Sequence, residues 1–442
     1  MPVRRPLPSR SLLRAAAPWL SLALWAAMAP AAHAVPSFAR QTGSDCAACH
    51  VGGYGPQLTP YGIKFKLGGY LDNNGKSSVP LSGMVVLESN RQKVWNADAN
   101  QAESKSRTGM SEASLFVAGK LAEHLGSFVQ VTRSAGDGSG YSTSLDQADV
   151  RVTTTADVGG KDAVLGVSFN NNPTVQDAFN TLSVWSFPYT GSDRIANYPG
   201  AGLAGGDYTE GRVLGVNAYA FIDNQFYGEL GTYNTLSPSM QSRLGVGRFD
   251  GDNLTPSVSN APYWRLAYTK DLKTRAFNVG VFGFSGTAKD RAAEPESTKF
   301  KDIGIDSGYQ FLGNREHIVT VNGSLTRSTL KQVDADTTVR SLKLATSYHW
   351  LNTYGATVGY FKARSTETPA DGSDSVRGGN SGLLYQVDYT PFGKEDSAYA
   401  PWANLRVGLQ YVRFNTSSDI DKANGQKVSD LNSLRLFAWA SY

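Results

Sequence analysis

The feature that most constrains the fold is an alternating pattern that runs from about Val79 to Tyr442. Segments of about ten residues, in which apolar and polar side chains alternate, are separated by turn residues. Successive side chains of a β-strand point to opposite faces, so each segment has one face suited to lipid and one suited to water. This pattern is typical of an antiparallel transmembrane β-barrel. A clear example is Leu405, Val407, Leu409 and Tyr411, which alternate with Asn404, Arg406, Gly408 and Gln410.

The pattern predicts a porin-like, all-β barrel of about sixteen strands, an even number as in single-chain bacterial barrels. Tight turns, such as 222–225 and 351–353, alternate with mostly longer loops rich in Ser, Thr, Asp and Gly. Short periplasmic turns and long outer loops have this asymmetry, and an even count places both chain ends in the periplasm. The strands are predicted to begin near Val79, Ser111, Ser127, Leu145, Asp162, Arg212, Gln225, Tyr263, Arg275, Lys299, His317, Val339, Thr353, Ser381, Ala403 and Leu431.

The longest predicted loop, Asn171–Gly211, is the third outer loop, and it carries Phe179, Trp185, Phe187 and Tyr189. A freely solvated loop does not require this aromatic content. We predict that the loop folds inward and narrows the lumen or covers the N-terminal segment. The alternative is an aromatic lid that packs on neighbouring loops.

A soluble β-sandwich or propeller would also contain short strands, but it does not predict the regular alternation of short and long connections. The chain also ends in an alternating segment from Leu434 to the aromatic residue Tyr442, which is typical of outer-membrane proteins. We therefore expect an outer-membrane protein in contact with membrane lipid.

The first 34 residues resemble an export signal in their order of features. Four arginines lie within the first 14 residues, and an apolar run extends from Leu12 to Pro30. Ala32-His33-Ala34 then forms a cleavage site, so the mature chain is expected to begin at Val35. The whole chain has 42 basic and 38 acidic residues, and removal of the four arginines leaves 38 of each. This balance removes the electrostatic basis for a nucleic-acid partner.

Both cysteines of the chain lie in Cys46-Ala47-Ala48-Cys49-His50, which is the attachment motif of haem c in an exported protein. Two thioether bonds would fix the porphyrin edge, and His50 would be the axial ligand of the iron. A disulfide, half of a zinc site and chance are the alternatives. The sequence thus predicts three segments: a signal peptide (1–34), a monohaem cytochrome c segment (35–78) and the barrel (79–442).

Only one short helix, from Thr59-Pro60 to Gly68-Gly69, is predicted after the motif, and residues 51–83 contain neither Met nor His. A sixth iron ligand must therefore come from the barrel, or that position is open or unusual. Strand parity places Met84 and His349 on the lumen side, so they are the main candidates, with Met110 in the first outer loop as another. Arg40 and Lys64 are candidate partners for the haem propionates.

The N-terminal segment resembles the fused outer-membrane monohaem cytochrome c–porin family of iron-oxidising bacteria. The resemblance is carried by the haem motif together with Pro36–Gly43, Leu58–Gly62 and Phe65–Tyr70. In that family a Met often stands near the first haem cysteine, whereas this chain has Ser44 and Asp45 there.

The resemblance implies a one-electron oxidoreductase. It would oxidise extracellular Fe(II), or another extracellular donor, through one covalent haem c and pass electrons to a periplasmic c-type cytochrome or other carrier. Two other functions stay open: an outward-facing electron conduit that uses the same haem, and a diffusion porin whose haem segment is a plug. The direction of electron flow is not encoded in a single haem.

Overall fold

A computed structural model provides the structure of this chain. It describes residues 35–75, 79–96, 101–135, 140–182, 184–185, 189–192, 202–247, 256–289, 296–397, 399, 401–418, 420 and 425–442. The predicted signal peptide and Phe187 of the third outer loop lie outside these residues. In the described part of the chain, no helix combines the length and the apolar character that a membrane span requires.

Over the described residues, sixteen antiparallel strands form one closed sheet, as predicted. Each strand pairs with its sequence neighbours, and the first strand pairs with the last at Glu88 and Phe437, which closes the barrel. A two-residue segment at Ser257–Val258 pairs with the ninth strand as an addition to the barrel. The strands are β1 (Leu81–Asn96), β2 (Gln101–Lys120), β3 (Leu125–Ala135), β4 (Tyr141–Asp157), β5 (Asp162–Asn170), β6 (Val213–Ile222), β7 (Phe226–Thr235), β8 (Ala261–Asp271), β9 (Arg275–Lys289), β10 (Ser297–Phe311), β11 (His317–Lys331), β12 (Ala335–Trp350), β13 (Tyr354–Pro369), β14 (Val376–Tyr389), β15 (Asn404–Ser417) and β16 (Ser433–Ser441).

One predicted strand start is wrong by ten residues, since β2 begins at Gln101 instead of near Ser111. The first ten residues of β2 are mostly exposed and polar on both faces, so they lack the alternation that identifies a membrane strand. Met110, predicted to lie in the first outer loop, is therefore part of β2, where it pairs with Leu87.

The two faces of the sheet differ as a membrane barrel requires. On the outside, apolar side chains such as Leu115 and Leu230 are 72% and 70% exposed. On the lumen side, Asp149, Arg151 and Arg265 have no exposed surface. Lipid can cover the apolar face, while the polar groups are satisfied inside the barrel.

Six tight turns lie at one end of the barrel, which we call the short-turn end. The seventh connection at this end, 390–403, is longer, and the tight-turn pattern did not predict it. It contacts the N-terminal segment, since the Asp396 amide donates to Asp45, and Arg315, which pairs with Glu395, donates to the Ala47 carbonyl. The tight turns are 121–124, 158–161, 223–225, 272–274, 312–316 and 351–353.

Residues 35–75 fold as a plug inside the short-turn end of the barrel. The plug contains α1 (Pro36–Thr42), α2 (Cys46–Cys49), a 3-10 turn (Val51–Gly53) and α3 (Pro60–Leu67). As predicted, α3 begins after Thr59, whose side chain accepts a hydrogen bond from Gly62, and it ends before Gly68-Gly69. Side chains from distant strands bind plug carbonyls: Tyr219 donates to Leu67, Gln310 to Leu58 and Asn404 to Gly53.

The third outer loop folds into the lumen, as predicted. We call its described residues between 171 and 192 (171–182, 184–185 and 189–192) the inner loop, and residues 171–182 are all buried. It crosses from β4, where Asn171 accepts from the Ala148 amide, to the part of the wall formed by β15 and β16. There Thr190 accepts hydrogen bonds from Arg435 and Gln410. Two further short helices lie at the same end of the barrel: α4 (Gly206–Thr209) later in this same connection, and α5 (Pro238–Arg243) in the connection between β7 and β8.

Arg151 joins three parts of the molecule. Its guanidinium donates to the Asp149 carboxylate of its own strand at 2.8 Å, to the Lys66 carbonyl of the plug at 3.1 Å and to the Gln176 carbonyl of the inner loop at 2.7 Å. All of these groups are buried, where each bond is strong and a missing partner is costly.

Arg265 holds the inner loop in a similar way. It forms a bidentate pair with Asp306 at 2.9 and 2.8 Å and a second ion pair with Asp177 at 3.3 Å. The Asp177 carboxylate also accepts from the amides of Phe179, Thr181 and Leu182, which shapes the loop. Burial acts to raise the pKa of Asp177, but Arg265 and Lys66 hold it below its ordinary value.

We expect Arg265→Met to lower the free energy of unfolding by about 3–5 kcal/mol, because it leaves two buried carboxylates without their cation. The measurement is the temperature at which the detergent-solubilised protein loses its compact mobility in gel electrophoresis. Lys161→Met is the control, since Lys161 pairs with Asp223 in a half-exposed position. Equal unfolding temperatures for the two variants would contradict this account of the inner loop.

Candidate functional site

A cavity of about 350 Å³ lies between the plug, the inner loop and the wall formed by β1, β2, β3, β4 and β16. Its size is within the range of ligand pockets in proteins. Cys46, Cys49 and His50, the three residues of the predicted haem motif, all line it. The described residues therefore bring the whole motif to one cavity inside the barrel.

The orientation of His50 suits metal ligation. Its Nδ1 lies 3.3 Å from the Gln57 carbonyl, which can only accept a hydrogen bond, so Nδ1 carries the proton and Nε2 keeps its lone pair. Metal-binding histidines are commonly oriented in this way by a backbone carbonyl. Burial lowers the pKa of His50 to about 4, and the Gln57 hydrogen bond acts in the opposite direction. The ring is thus neutral near neutral pH.

Cys46 and Cys49 are not joined in a disulfide, and α2 holds them one helical turn apart. Burial raises the pKa of the Cys49 thiol to about 12, and the nearby Asp72 carboxylate contributes in the same direction. Among the described residues, no group of three or more His, Cys, Asp or Glu side chains could hold a metal ion. The structure therefore offers neither a disulfide at this motif nor the remainder of a zinc site in its described part.

Aromatic rings form two walls of the cavity. Phe38 packs on Phe65 and Tyr70 of the plug, with ring centroids 5.0 and 5.3 Å apart. On the barrel side, Phe128 lies 5.9 Å from the Trp185 ring of the inner loop. Such walls suit a flat apolar ligand.

Two buried polar atoms on the cavity wall, Trp185 Nε1 and Gln147 Oε1, have no hydrogen-bond partner. Buried polar groups in proteins are nearly always paired, so these atoms indicate a ligand or solvent with polar groups of its own. A haem has a flat apolar macrocycle and two carboxylates. The aromatic walls, the two thiols, the oriented imidazole and the Trp185 Nε1–H donor fit that group, whereas Gln147 Oε1, an acceptor, would pair with a solvent donor.

The two candidate sixth ligands differ in position. Met84 lines the cavity, as a lumen-facing residue of β1, and its sulfur accepts a hydrogen bond from Trp439 Nε1 at 3.1 Å. His349 also faces the lumen, as predicted, but its ring packs against Gly52 and lines a separate, much smaller cavity. Geometry therefore favours Met84 over His349.

The predicted propionate partners do not reach the cavity. Lys64 is exposed, and Arg40 donates to the Leu81 carbonyl and packs on Trp402. The cation that lines the cavity is Lys66, which sequence reasoning missed. Burial lowers the pKa of Lys66 to about 7, with Arg151 acting in the same direction and nearby carboxylates opposing. Nothing in the sequence distinguishes Lys66 from Lys64, since both are lysines of α3. The orientation of α3 inside the barrel determines which of the two is buried.

A second cavity of about 170 Å³ adjoins the first one. The two share Glu112, Tyr189 and Trp439 as lining residues, and the second is otherwise lined mainly by hydroxyl groups and Arg435. It therefore extends the apolar cavity into a polar region between the inner loop and the barrel wall.

No protein-family model and no curated protein matches this chain. Among solved structures, it is similar to the outer-membrane channel DcaP of Acinetobacter baumannii, with 14% identity, coverage of 84% of this chain and 99% of that chain, and a TM-score of 0.47. OprB of Pseudomonas putida gives 12% identity, coverage of 82% and 94%, and a TM-score of 0.46. The anion-selective porin of Comamonas acidovorans is 12% identical, with coverage of 82% of this chain and 99% of that chain and a TM-score of 0.43. The barrel is shown by the strand pairing of this chain and by the burial of its lumen-facing side chains.

Gly53 provides a test of how the motif is seated. It has a φ of +66°, and a Cβ there would lie 2.2 Å from the Gly393 carbonyl oxygen of the connection 390–403. We expect Gly53→Ala to displace the plug from the short-turn end and to make the buried Lys66 accessible to trypsin cleavage. Gly75→Ala is a matched control, because Gly75 also has a positive φ, +78°, but has no atom within 4 Å. Equal cleavage of both variants would mean that this contact does not hold the plug.

Proposed function

We propose that this protein is an outer-membrane electron-transfer protein that oxidises extracellular Fe(II) through one covalent haem c and passes the electrons to a periplasmic carrier. The observation that carries the proposal is the placement of Cys46, Cys49 and the oriented imidazole of His50 on one wall of a cavity inside the barrel. The porin-like barrel alone would not suggest redox chemistry.

In this proposal the chain's own residues hold and enclose the cofactor. The thiols of Cys46 and Cys49 would attach it covalently, and His50 Nε2 and the Met84 sulfur would bind its iron. The haem supplies a one-electron couple whose potential depends on axial ligation and burial. The aromatic walls and the inner loop exclude bulk water from this space.

The barrel would let electrons cross the outer membrane while the extracellular iron stays outside the cell. Ferric products are insoluble near neutral pH, so oxidation outside the periplasm protects the cell. The plug and the buried inner loop occupy the lumen, and the second cavity with Glu112 provides a polar approach from the loop side. We place the short-turn end, the plug and both chain ends in the periplasm, by the usual asymmetry of such barrels.

The test is anaerobic addition of Fe(II) to the purified, oxidised holoprotein near neutral pH, followed through the absorption of the reduced haem. We expect reduction within seconds. The Cys46→Ala/Cys49→Ala double variant should fold, as shown by heat-modifiable gel mobility, but should carry no covalent haem and give no signal. A haem that dithionite reduces and Fe(II) does not would point to another donor or to an outward conduit.

The sixth ligand has its own test. We expect Met84→Leu to convert the oxidised haem to a five-coordinate, high-spin species in optical and electron-resonance spectra, because the sulfur ligand is lost. His349→Gln should leave both spectra unchanged. The reverse pattern would assign His349, and unchanged spectra for both variants would assign a different sixth ligand.

A diffusion porin with a haem-bearing plug is the second candidate, favoured by the closed sixteen-stranded barrel, whose width commonly leaves an aqueous channel. Conductance of the purified protein in planar bilayers separates the two functions. Because the plug and residues 171–182 lie in the lumen, the electron-transfer proposal predicts a conductance well below that of an open porin. A porin-like conductance of the wild-type protein would favour diffusion.

A further inference from the structure

Lys66 is a buried cation that lines the candidate haem cavity. Its side chain is 4% exposed, and its Nζ donates to the Val175 carbonyl and to Asn180 Oδ1, both at 2.8 Å. An ammonium group has three N–H donors, so these two acceptors use two of them. In the described part of the chain, no carboxylate oxygen lies within ion-pair distance of Lys66 Nζ. A buried ammonium in this state is costly unless an anion compensates it.

Trp185 of the inner loop lies directly beside this cation. Lys66 Nζ is 4.3 Å from the centroid of the Trp185 ring, and both residues line the cavity. The Trp185 Nε1–H is buried and donates to no acceptor. A spare ammonium N–H and an unused indole N–H thus lie side by side, and both are donors. The group that would satisfy them is an acceptor with negative charge.

We infer that Lys66 and Trp185 bind a carboxylate of the cavity's ligand, which is a haem propionate if the proposed function holds. The pair joins the plug to the inner loop, so the propionate would draw the loop onto the cofactor and would lose its exposure to solvent. The positive charge of Lys66 compensates the propionate and favours the reduced haem, which carries one positive charge fewer than the oxidised haem.

The inference assigns different roles to two lysines of the same helix. Lys64 is exposed and Lys66 is buried against the inner loop, although only one residue separates them. Lys66→Met removes the charge but keeps the aliphatic chain, and Lys64→Met is the matched control. Trp185→Phe removes the N–H donor and one of the two fused rings, but it keeps an aromatic ring beside Lys66. These three variants separate charge, hydrogen bonding and general packing.

The experiment is resonance Raman spectroscopy of the holoprotein, which reports the propionate bending mode, together with a redox titration of the haem. We expect Lys66→Met to shift the propionate mode and to lower the midpoint potential, Trp185→Phe to shift the mode, and Lys64→Met to change neither. The propionate mode is decisive, because looser packing alone lowers the potential through water entry without removing a specific hydrogen bond.

The inference is overturned if the propionate mode of Lys66→Met and of Trp185→Phe stays at the wild-type position, whatever the potential does. If Lys66→Met does not fold, the position of the propionate bending mode in Trp185→Phe alone decides whether the inference is correct. Failure of the proposed function is a distinct result: the wild-type protein would then contain no covalent haem, or its haem would not accept electrons from Fe(II).

Discussion

The width of the barrel is the constraint on which the other features depend. A closed sheet of sixteen strands encloses more space than its own side chains can fill, and barrels of this size commonly contain water. This chain fills much of that space with two of its own segments, the plug (35–75) and the inner loop (171–192). Because both segments carry backbone polar groups into the lumen, the barrel wall must supply hydrogen-bond partners for them. The polar lumen side chains do so.

The cavity is a consequence of how these two segments meet. Arg151 binds carbonyls of both segments, and Lys66 of the plug binds the inner loop in turn. Arg265, four strands away on β8, fixes the loop through Asp177. The thiols and the imidazole of the N-terminal motif are therefore enclosed by residues more than a hundred positions away in the chain. A rigid enclosure of this kind is what a buried redox cofactor requires, since its potential depends on exclusion of water.

Much of the barrel could be predicted from the sequence, because alternation reports directly which side chains face lipid. Fifteen predicted strand starts lie within five residues of the observed ones. The start of β2 was wrong, since its first residues are polar on both faces and carry no such signal. The limits of α3 followed from the Thr59 cap and the glycines after it, which are local features.

The site was less predictable. The motif identified Cys46 and Cys49 by spacing alone, and strand parity placed Met84 in the lumen. The importance of Lys66 and Trp185 could not be predicted, because it depends on contacts between segments that are distant in sequence. Alternation identifies the face on which a residue lies but not its partner across the lumen.

The central claim is that one haem is covalently attached inside this barrel, and the mass of the intact mature protein tests it most directly. The account predicts a chain that begins at Val35 and is heavier than its polypeptide by one haem, with both thiols unreactive toward alkylating reagents after denaturation. A protein that has the mass of the polypeptide alone and two reactive thiols would contradict it.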